Sequence, residues 1–207
     1  MTEHAYSAVD ITVLTMADSV HTRPGMYFGA GRDDPRLATE VLCVVVGHAF
    51  HPAARVAASH TPHVVADITA DLAFAVTDDQ ADTLTGPGVP RLGYEGSLLT
   101  AERWSSAAAA AVSTQTVVEI WRDGRGFRQT LVGLRPAEPP TEFGPPAGAG
   151  TRVIFNLDAA FFDSSVITTD IAALDVHGPY CADVAGPGEV IVRDHRGANG
   201  PTERRIA

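Results

Sequence analysis

The feature that most constrains this chain is the apolar run at positions 37–50, the longest in the sequence. Apolar residues would cover every side of a helix drawn through it, so the segment is expected to be deeply buried. Its length and the proline at position 52 favour a helix, although three consecutive valines would also suit a strand. Its one carboxylate, Glu40, would share a helix face with Val44 and Gly47. Such a lone acid needs a partner or a function, unless it is a first-turn residue favoured by the helix dipole.

Length and composition limit the classes of protein that fit. The 207 residues, 45% of them hydrophobic, suffice for one sizeable domain with a true core. No apolar run reaches membrane-spanning length, and the N-terminus lacks the pattern of a signal peptide. Cys43 and Cys181 are expected to be reduced thiols in a cytoplasmic protein. The net charge of −10, with no basic cluster, argues against direct binding of DNA or of anionic membranes.

The rest of the pattern predicts helices interleaved with hairpin strands. Short helices are expected at 16–21 and 100–113, and part of 159–174 looks helical. Asp123-Gly124 between two alternating segments is a strong hairpin signal. Strands are expected at 64–68, 72–76, 116–122, 125–134, 151–157 and 189–193, with loops at 83–96 and 136–150. This order predicts an α/β fold, a two-layer sandwich with a mixed, mostly antiparallel sheet and helices on one face.

Several motifs in this order resemble the N-terminal ATPase domain of the DNA gyrase B subunit, a member of the GHKL superfamily. The most specific is the segment Arg-Pro-Gly-Met-Tyr at 23–27. The others are the arm at 6–11, the central hairpin at 121–129, the Gly-Thr strand at 148–155 and the closing strand and turn at 193–197. The resemblance implies the GHKL type of α/β sandwich. It also implies three parts: an N-terminal arm with a short helix at 1–22, a degenerate ATPase domain at 23–200, and a tail at 201–207. Tyr6 and Ile11 of the arm would contact a second copy of the chain in a homodimer.

The resemblance also assigns roles to individual residues. Glu40 falls where the family activates the attacking water, and is the candidate catalytic residue. Asp78 matches the aspartate that binds the adenine amino group, Thr151 the threonine behind the adenine, and Arg128 an arginine of the hairpin. Val44 and Gly47 stand where the family has a magnesium-binding asparagine and an acid.

The phosphate half of the family's site is altered in this chain. Val44 offers magnesium no oxygen, and Leu99-Thr-Ala-Glu-Arg-Trp-Ser105 stands where glycine-rich backbone should cradle phosphates. Glu102 repels anions, and Arg103 partly offsets that. Losing two or three charge-assisted hydrogen bonds and the metal would weaken nucleotide binding about a thousandfold. No ATP or magnesium cofactor and no resident metal are therefore expected.

Three functions follow as hypotheses. The first is a stand-alone pseudo-ATPase domain that binds a small planar ligand or a partner protein in the remnant pocket, without efficient ATP hydrolysis. The ligand would meet Asp78, Thr151, Arg128, Val44 and Gly47. The second is a repurposed enzyme that uses Glu40 or Asp78 as general acid or base on a small metabolite. The third is a protein that interacts with a topoisomerase or binds its inhibitors.

Overall fold

A computed structural model describes residues 14–50, 63–81, 83–84, 89–176 and 188–206 of the chain. Its helices are α1 (Met16–Thr22), α2 (Gly25–Phe28), α3 (Leu37–Phe50), α4 (Trp104–Ala111) and α5 (Ala159–Phe162). Short 3₁₀ turns occupy Tyr94–Gly96, Ala101–Arg103 and Ile171–Ala173. The helix predicted over 37–50 is confirmed with the same bounds, and it is buried on nearly every side, as its composition predicts.

The described residues form one mixed sheet of nine strands. The strands are β1 (His63–Ala70), β2 (Ala73–Asp78), β3 (Ser113–Arg122), β4 (Arg125–Val132), β5 (Arg135–Pro136), β6 (Thr141–Phe143), β7 (Gly150–Leu157), β8 (Glu189–Asp194) and β9 (Thr202–Ile206). Their order is β5-β4-β3-β7-β2-β1-β8-β9, with β6 also paired to β4. β1 and β8 run parallel, and the other pairs are antiparallel. The predicted mixed α/β class with a mostly antiparallel sheet is confirmed.

Strands β3 and β4 form the predicted hairpin, and its turn explains why the sequence signals it so strongly. Asp123 and Gly124 have φ values of 54° and 78°. Two successive residues in the left-handed region match the twist of the flanking strands, and Asp-Gly is a preferred pair for this turn. The register that follows pairs Glu119 with Arg128 and Ile120 with Phe127. This register decides which side chains of the hairpin can share a site.

One face of the sheet carries the core. Helix α3 packs against β1, β2 and β8, and α4 packs against β3 and β7. Alternate strand positions on this face are buried and apolar: Val64, Ala66, Ile68, Phe74, Val76, Val118, Ile120, Val153, Phe155, Val190 and Val192. Many of the alternate positions on the other face are partly or fully exposed and polar or charged: Asp67, Thr77, Arg128, Arg152 and Arg193. The sheet therefore has one face packed against helices and one polar face.

The start of α3 is fixed by a distant part of the chain. The Ala38 N–H donates to Ser165 Oγ at 2.9 Å, and that hydroxyl donates to the Pro35 carbonyl at 2.9 Å. The Thr168 N–H donates to Thr39 Oγ1, also at 2.9 Å. The first N–H groups of a helix have no partner within the helix. The Asp34 carbonyl accepts from the Leu37 N–H, and the distant segment supplies the acceptor for the Ala38 N–H.

Two segments differ from their sequence-based description. Residues 201–207, expected as a tail, contain β9, whose Arg204 pairs with Val192 and donates to the Ile171 and Leu174 carbonyls at 2.8 and 3.0 Å. The loop expected at 136–150 contains β6 and one residue of β5. Both are edge strands, which are short and rich in polar residues and so lack the apolar alternation on which the predictions relied. In the described ranges, no helix is long and apolar enough to cross a membrane.

Candidate functional site

The candidate site is centred on Asp78, the last residue of β2, and on Arg103, a partner that the sequence pattern does not predict. Both carboxylate oxygens of Asp78 accept hydrogen bonds from the guanidinium of Arg103: Nη1 donates to Oδ2, and Nη2 donates to Oδ1 at 3.0 Å. The side chains of Arg103 and Asp78 are 4% and 1% exposed. This two-point contact is the geometry in which a guanidinium binds a carboxylate most strongly.

The backbone that follows Asp78 joins the same group. The Gln80 N–H donates to Asp78 Oδ1 at 3.0 Å, so the carboxylate orders the chain directly beyond the strand. The Gln80 carbonyl accepts from Thr151 Oγ1 at 2.7 Å and from Arg103 Nη2 at 3.5 Å. Asp78 and Thr151 are directly opposed residues of β2 and β7. The structure thus brings together the two residues predicted to bind the flat part of a ligand. The side chains of both form hydrogen bonds with other groups of the chain.

Arg128 lies on the other face of the sheet. The register pairs Ile120 with both Thr151 and Phe127, which places these three on one face and Arg128 on the opposite one. There its guanidinium forms an ion pair with Glu119 and lies 5.3 Å from the centroid of the Phe143 ring. The resemblance predicts that Arg128 lies in the ligand pocket with Asp78 and Thr151, but the strand register separates it from them.

Glu40 is not enclosed as its surrounding sequence suggested. Its side chain is 31% exposed, and its Oε1 lies 3.5 Å from Nη1 of Arg36, one turn earlier. Val44, on the same helix, is partly buried against the core. These contacts favour the first-turn interpretation, in which an acid near the helix N-terminus is stabilised by the helix dipole and by a neighbouring arginine.

Gly47 has a structural role of its own. A Cβ placed on it would lie 2.2 Å from the Val176 carbonyl oxygen. The backbone near Val176 therefore passes so close to α3 that only glycine fits at this position. The resemblance predicts Gly47 as a ligand contact, whereas the structure accounts for this glycine by close backbone packing.

Burial, and after it the nearby Glu40 carboxylate, raises the pKa of the Cys43 thiol to about 12. The thiol is thus kept protonated and is a poor nucleophile at neutral pH. Among the residues of the described ranges, no cluster of His, Cys, Asp and Glu has the arrangement of a metal site. The predicted arm residues Tyr6 and Ile11 lie outside the described residues.

The start of α4, where the resemblance would place phosphates, carries side chains at the surface. Glu102 forms an ion pair with Arg91 at 2.7 Å. The pKa of Glu102 is lowered by backbone and Thr100 hydroxyl hydrogen bonds and by Arg91, so the side chain is anionic at neutral pH. Trp104 packs edge-on against His48, with ring centroids 5.1 Å apart. An anionic carboxylate and an indole ring here give phosphates a poor environment.

No protein-family model matches the chain, and no curated protein matches it.

Proposed function

We propose that this chain is a gyrase-B-like pseudo-ATPase domain of the GHKL type, which acts by binding a partner protein or a small planar ligand and does not hydrolyse ATP efficiently. The observation that carries the proposal is the buried Asp78–Arg103 ion pair. The carboxylate that the resemblance assigns to adenine is bound by the chain's own guanidinium, so a nucleotide has to displace Arg103 before it can use that carboxylate.

The free energy needed for that displacement is larger than the free energy gained from the hydrogen bond that adenine would form. Breaking a buried ion pair by removing one partner costs about 3–5 kcal/mol. A single neutral N–H donated to a carboxylate returns about 1.5–3 kcal/mol. With Val44 in the place of a metal ligand and Glu102 at the start of α4, the phosphates add little to the binding energy. Binding of ATP should therefore be weak, and turnover weaker still.

The alternative of a repurposed enzyme receives less support from the geometry. It needs Glu40 or Asp78 as a proton donor or acceptor in an enclosed pocket. Glu40 is partly exposed beside Arg36, and both carboxylate oxygens of Asp78 are bound to Arg103. The polar contacts that surround these acids suit fixed charges better than proton transfer. A binding role, in a reducing compartment such as the cytoplasm, is the better-supported proposal.

Titration calorimetry with ATP and magnesium, paired with a phosphate-release assay, tests this function. A hydrolysing gyrase B domain measured in parallel shows that both assays work. We expect no heat of binding at micromolar concentrations and no phosphate release above background, for wild type and for Glu40→Gln alike. Micromolar binding accompanied by turnover that is lost in Glu40→Gln would reject the proposal.

A further inference from the structure

We propose that Arg103 is an exchangeable internal occupant of a binding site for planar cations, and that it leaves Asp78 when a guanidinium or amidinium group of a ligand takes its place. The inference rests on the proposed function and names the class of ligand. It makes the Asp78–Arg103 contact autoinhibitory: the chain's own side chain holds the site until a chemically similar group replaces it.

The acceptors of the site define this ligand class. The two oxygens of Asp78 and the Gln80 carbonyl all face the Arg103 guanidinium, at 3.0 Å for Oδ1 and 3.5 Å for the carbonyl. Such a set suits a planar group with adjacent N–H donors. Because the Asp78 side chain is 1% exposed, a neutral replacement for Arg103 would leave a buried carboxylate without a counter-charge. The replacement must therefore be cationic, which excludes a neutral nucleobase as the preferred ligand.

The position of Arg103 in the fold gives it a route out of the site. It lies where the 3₁₀ turn Ala101–Arg103 meets α4, and its backbone (φ −111°, ψ 33°) is not helical. Its neighbours Glu102 and Trp104 are at the surface, with Glu102 38% and Trp104 36% exposed. Residues at element ends commonly absorb the backbone rotations of local movements. A rotation at this junction would move Arg103 outward while the alanines of α4 stay packed.

Arg196, a second arginine with a largely buried side chain, provides an internal control. Its side chain is 12% exposed, forms an ion pair with Asp194 at 2.6 Å, and donates to the Ile167 and Thr168 carbonyls at 2.8 and 2.7 Å. It therefore joins β8 to the segment that caps α3. We expect release of Arg196 to separate these two segments, and release of Arg103 to follow the movement at its junction with α4.

Wild-type protein tests the movement directly. The protein is incubated with phenylglyoxal, an arginine-specific reagent, at several urea concentrations below the unfolding transition, and modification is mapped by peptide mass spectrometry. We expect Arg103 to be modified at a rate that urea hardly changes, because a local opening exposes little surface, whereas modification of Arg196 should rise steeply with urea. An equally steep urea dependence for both arginines, or complete protection of Arg103, would overturn the inference.

Removing the occupant tests the ligand class. Arg103→Ala is titrated with benzamidinium, which represents small amidines, and with N-acetylarginine amide, which represents an arginine of a partner protein. Since a tethered side chain competes at a high effective concentration, we expect either probe to bind this variant at least about tenfold more tightly than wild type. Benzyltrimethylammonium, a cation without N–H donors, and the variant Asp78→Asn/Arg103→Ala should show no such gain. A gain for neither probe, or an equal gain for the control cation, would contradict the inference.

If Arg103→Ala does not fold, Arg103→Gln replaces it in the same titration, and the phenylglyoxal measurement needs no variant.

Different results would reject the two proposals. ATP turnover by wild type would reject the proposed function, whereas protection of Arg103 with no probe binding would reject this inference alone.

Discussion

Arg103 and Asp78, 25 positions apart in the sequence, form an ion pair whose two side chains are 4% and 1% exposed. This pair fixes the turn Ala101–Arg103 to the end of β2, and its burial makes the two charges depend on each other.

Removing only one member of the pair should therefore be costly. Arg103→Met should lower the free energy of unfolding by about 3–5 kcal/mol, because it leaves the Asp78 carboxylate buried without a counter-charge. Asp78→Leu combined with Arg103→Met should recover much of this loss, since neither charge then remains. Urea unfolding of the two variants and wild type measures the difference. An Arg103→Met protein as stable as wild type would show that the side chain is not buried in solution.

Replacing Gly47 should disturb the packing of α3. The added Cβ of Gly47→Ala would lie 2.2 Å from the Val176 carbonyl oxygen, and the required shift should cost about 1–3 kcal/mol in the free energy of unfolding. Gly31→Ala is the matched control, because a Cβ there meets nothing within 4 Å. Its effect should stay within about 0.5 kcal/mol in the same urea experiment. Equal stability of the two variants would contradict the close approach.

The Cys43 thiol should make stability depend on alkaline pH. Burial raises its pKa from 9.0 to about 12, so from pH 9 upward the unfolded chain loses this proton more readily than the folded one. The stabilising contribution is therefore complete below pH 9 and falls as the pH rises toward 12. Both proteins compared carry Cys181→Ser. Urea unfolding should show that the free energy of unfolding decreases less between pH 9 and 12 when Cys43→Val is added than when Cys43 is present. In that background, iodoacetamide should hardly react with folded protein at pH 8.

A side chain at Gly124, the second position of the β3–β4 turn, should destabilise the protein. Gly124 has a φ of 78°, and a residue with a Cβ is strained there by about 1–2 kcal/mol. Gly124→Ala should lower the free energy of unfolding by roughly that amount. Asp123→Asn should be nearly neutral, because asparagine also tolerates the left-handed region. A stable Gly124→Ala variant would mean that the turn has a different conformation in solution.

The Asp194–Arg196 pair should contribute to stability above acidic pH. Hydrogen bonds from Arg196 lower the pKa of Asp194 below 3.8. The contribution of this pair is therefore present above that value and is lost as the pH falls through the lowered pKa. The urea midpoint of unfolding is measured as a function of pH. Below pH 4 it should depend less on pH in Arg196→Met than in wild type. Arg36→Met, which removes the 68%-exposed partner of Asp34, should leave the acid dependence of the unfolding midpoint nearly unchanged.

Local signals in the sequence account for the elements that were predicted well. The bounds of α3 follow from one uninterrupted apolar run, and the hairpin follows from Asp123-Gly124 between two alternating segments. These patterns act over a few residues and do not depend on how distant parts of the chain meet.

The site was less predictable because its contacts are set by tertiary packing. Arg103 is 25 positions from Asp78, and in the sequence it suggested only an offset to the charge of Glu102. A signal was available, since an Asp that ends a buried strand needs a counter-charge and Arg103 begins a nearby helix. The face on which Arg128 lies depends on strand register, and a shift of one residue reverses it.

The cap of α3 also has a consequence for synthesis of the protein. The Ser165 hydroxyl that accepts from Ala38 follows it by 127 positions, and ribosomes add about 5–20 residues per second. A nascent chain therefore carries its most apolar helix for about ten seconds before the segment that completes that helix has been made. During this interval α3 is a target for chaperones that recognise exposed apolar segments, and variants that weaken Ser165 or Thr168 should lower the yield of folded protein in cells more than their effect on equilibrium stability implies.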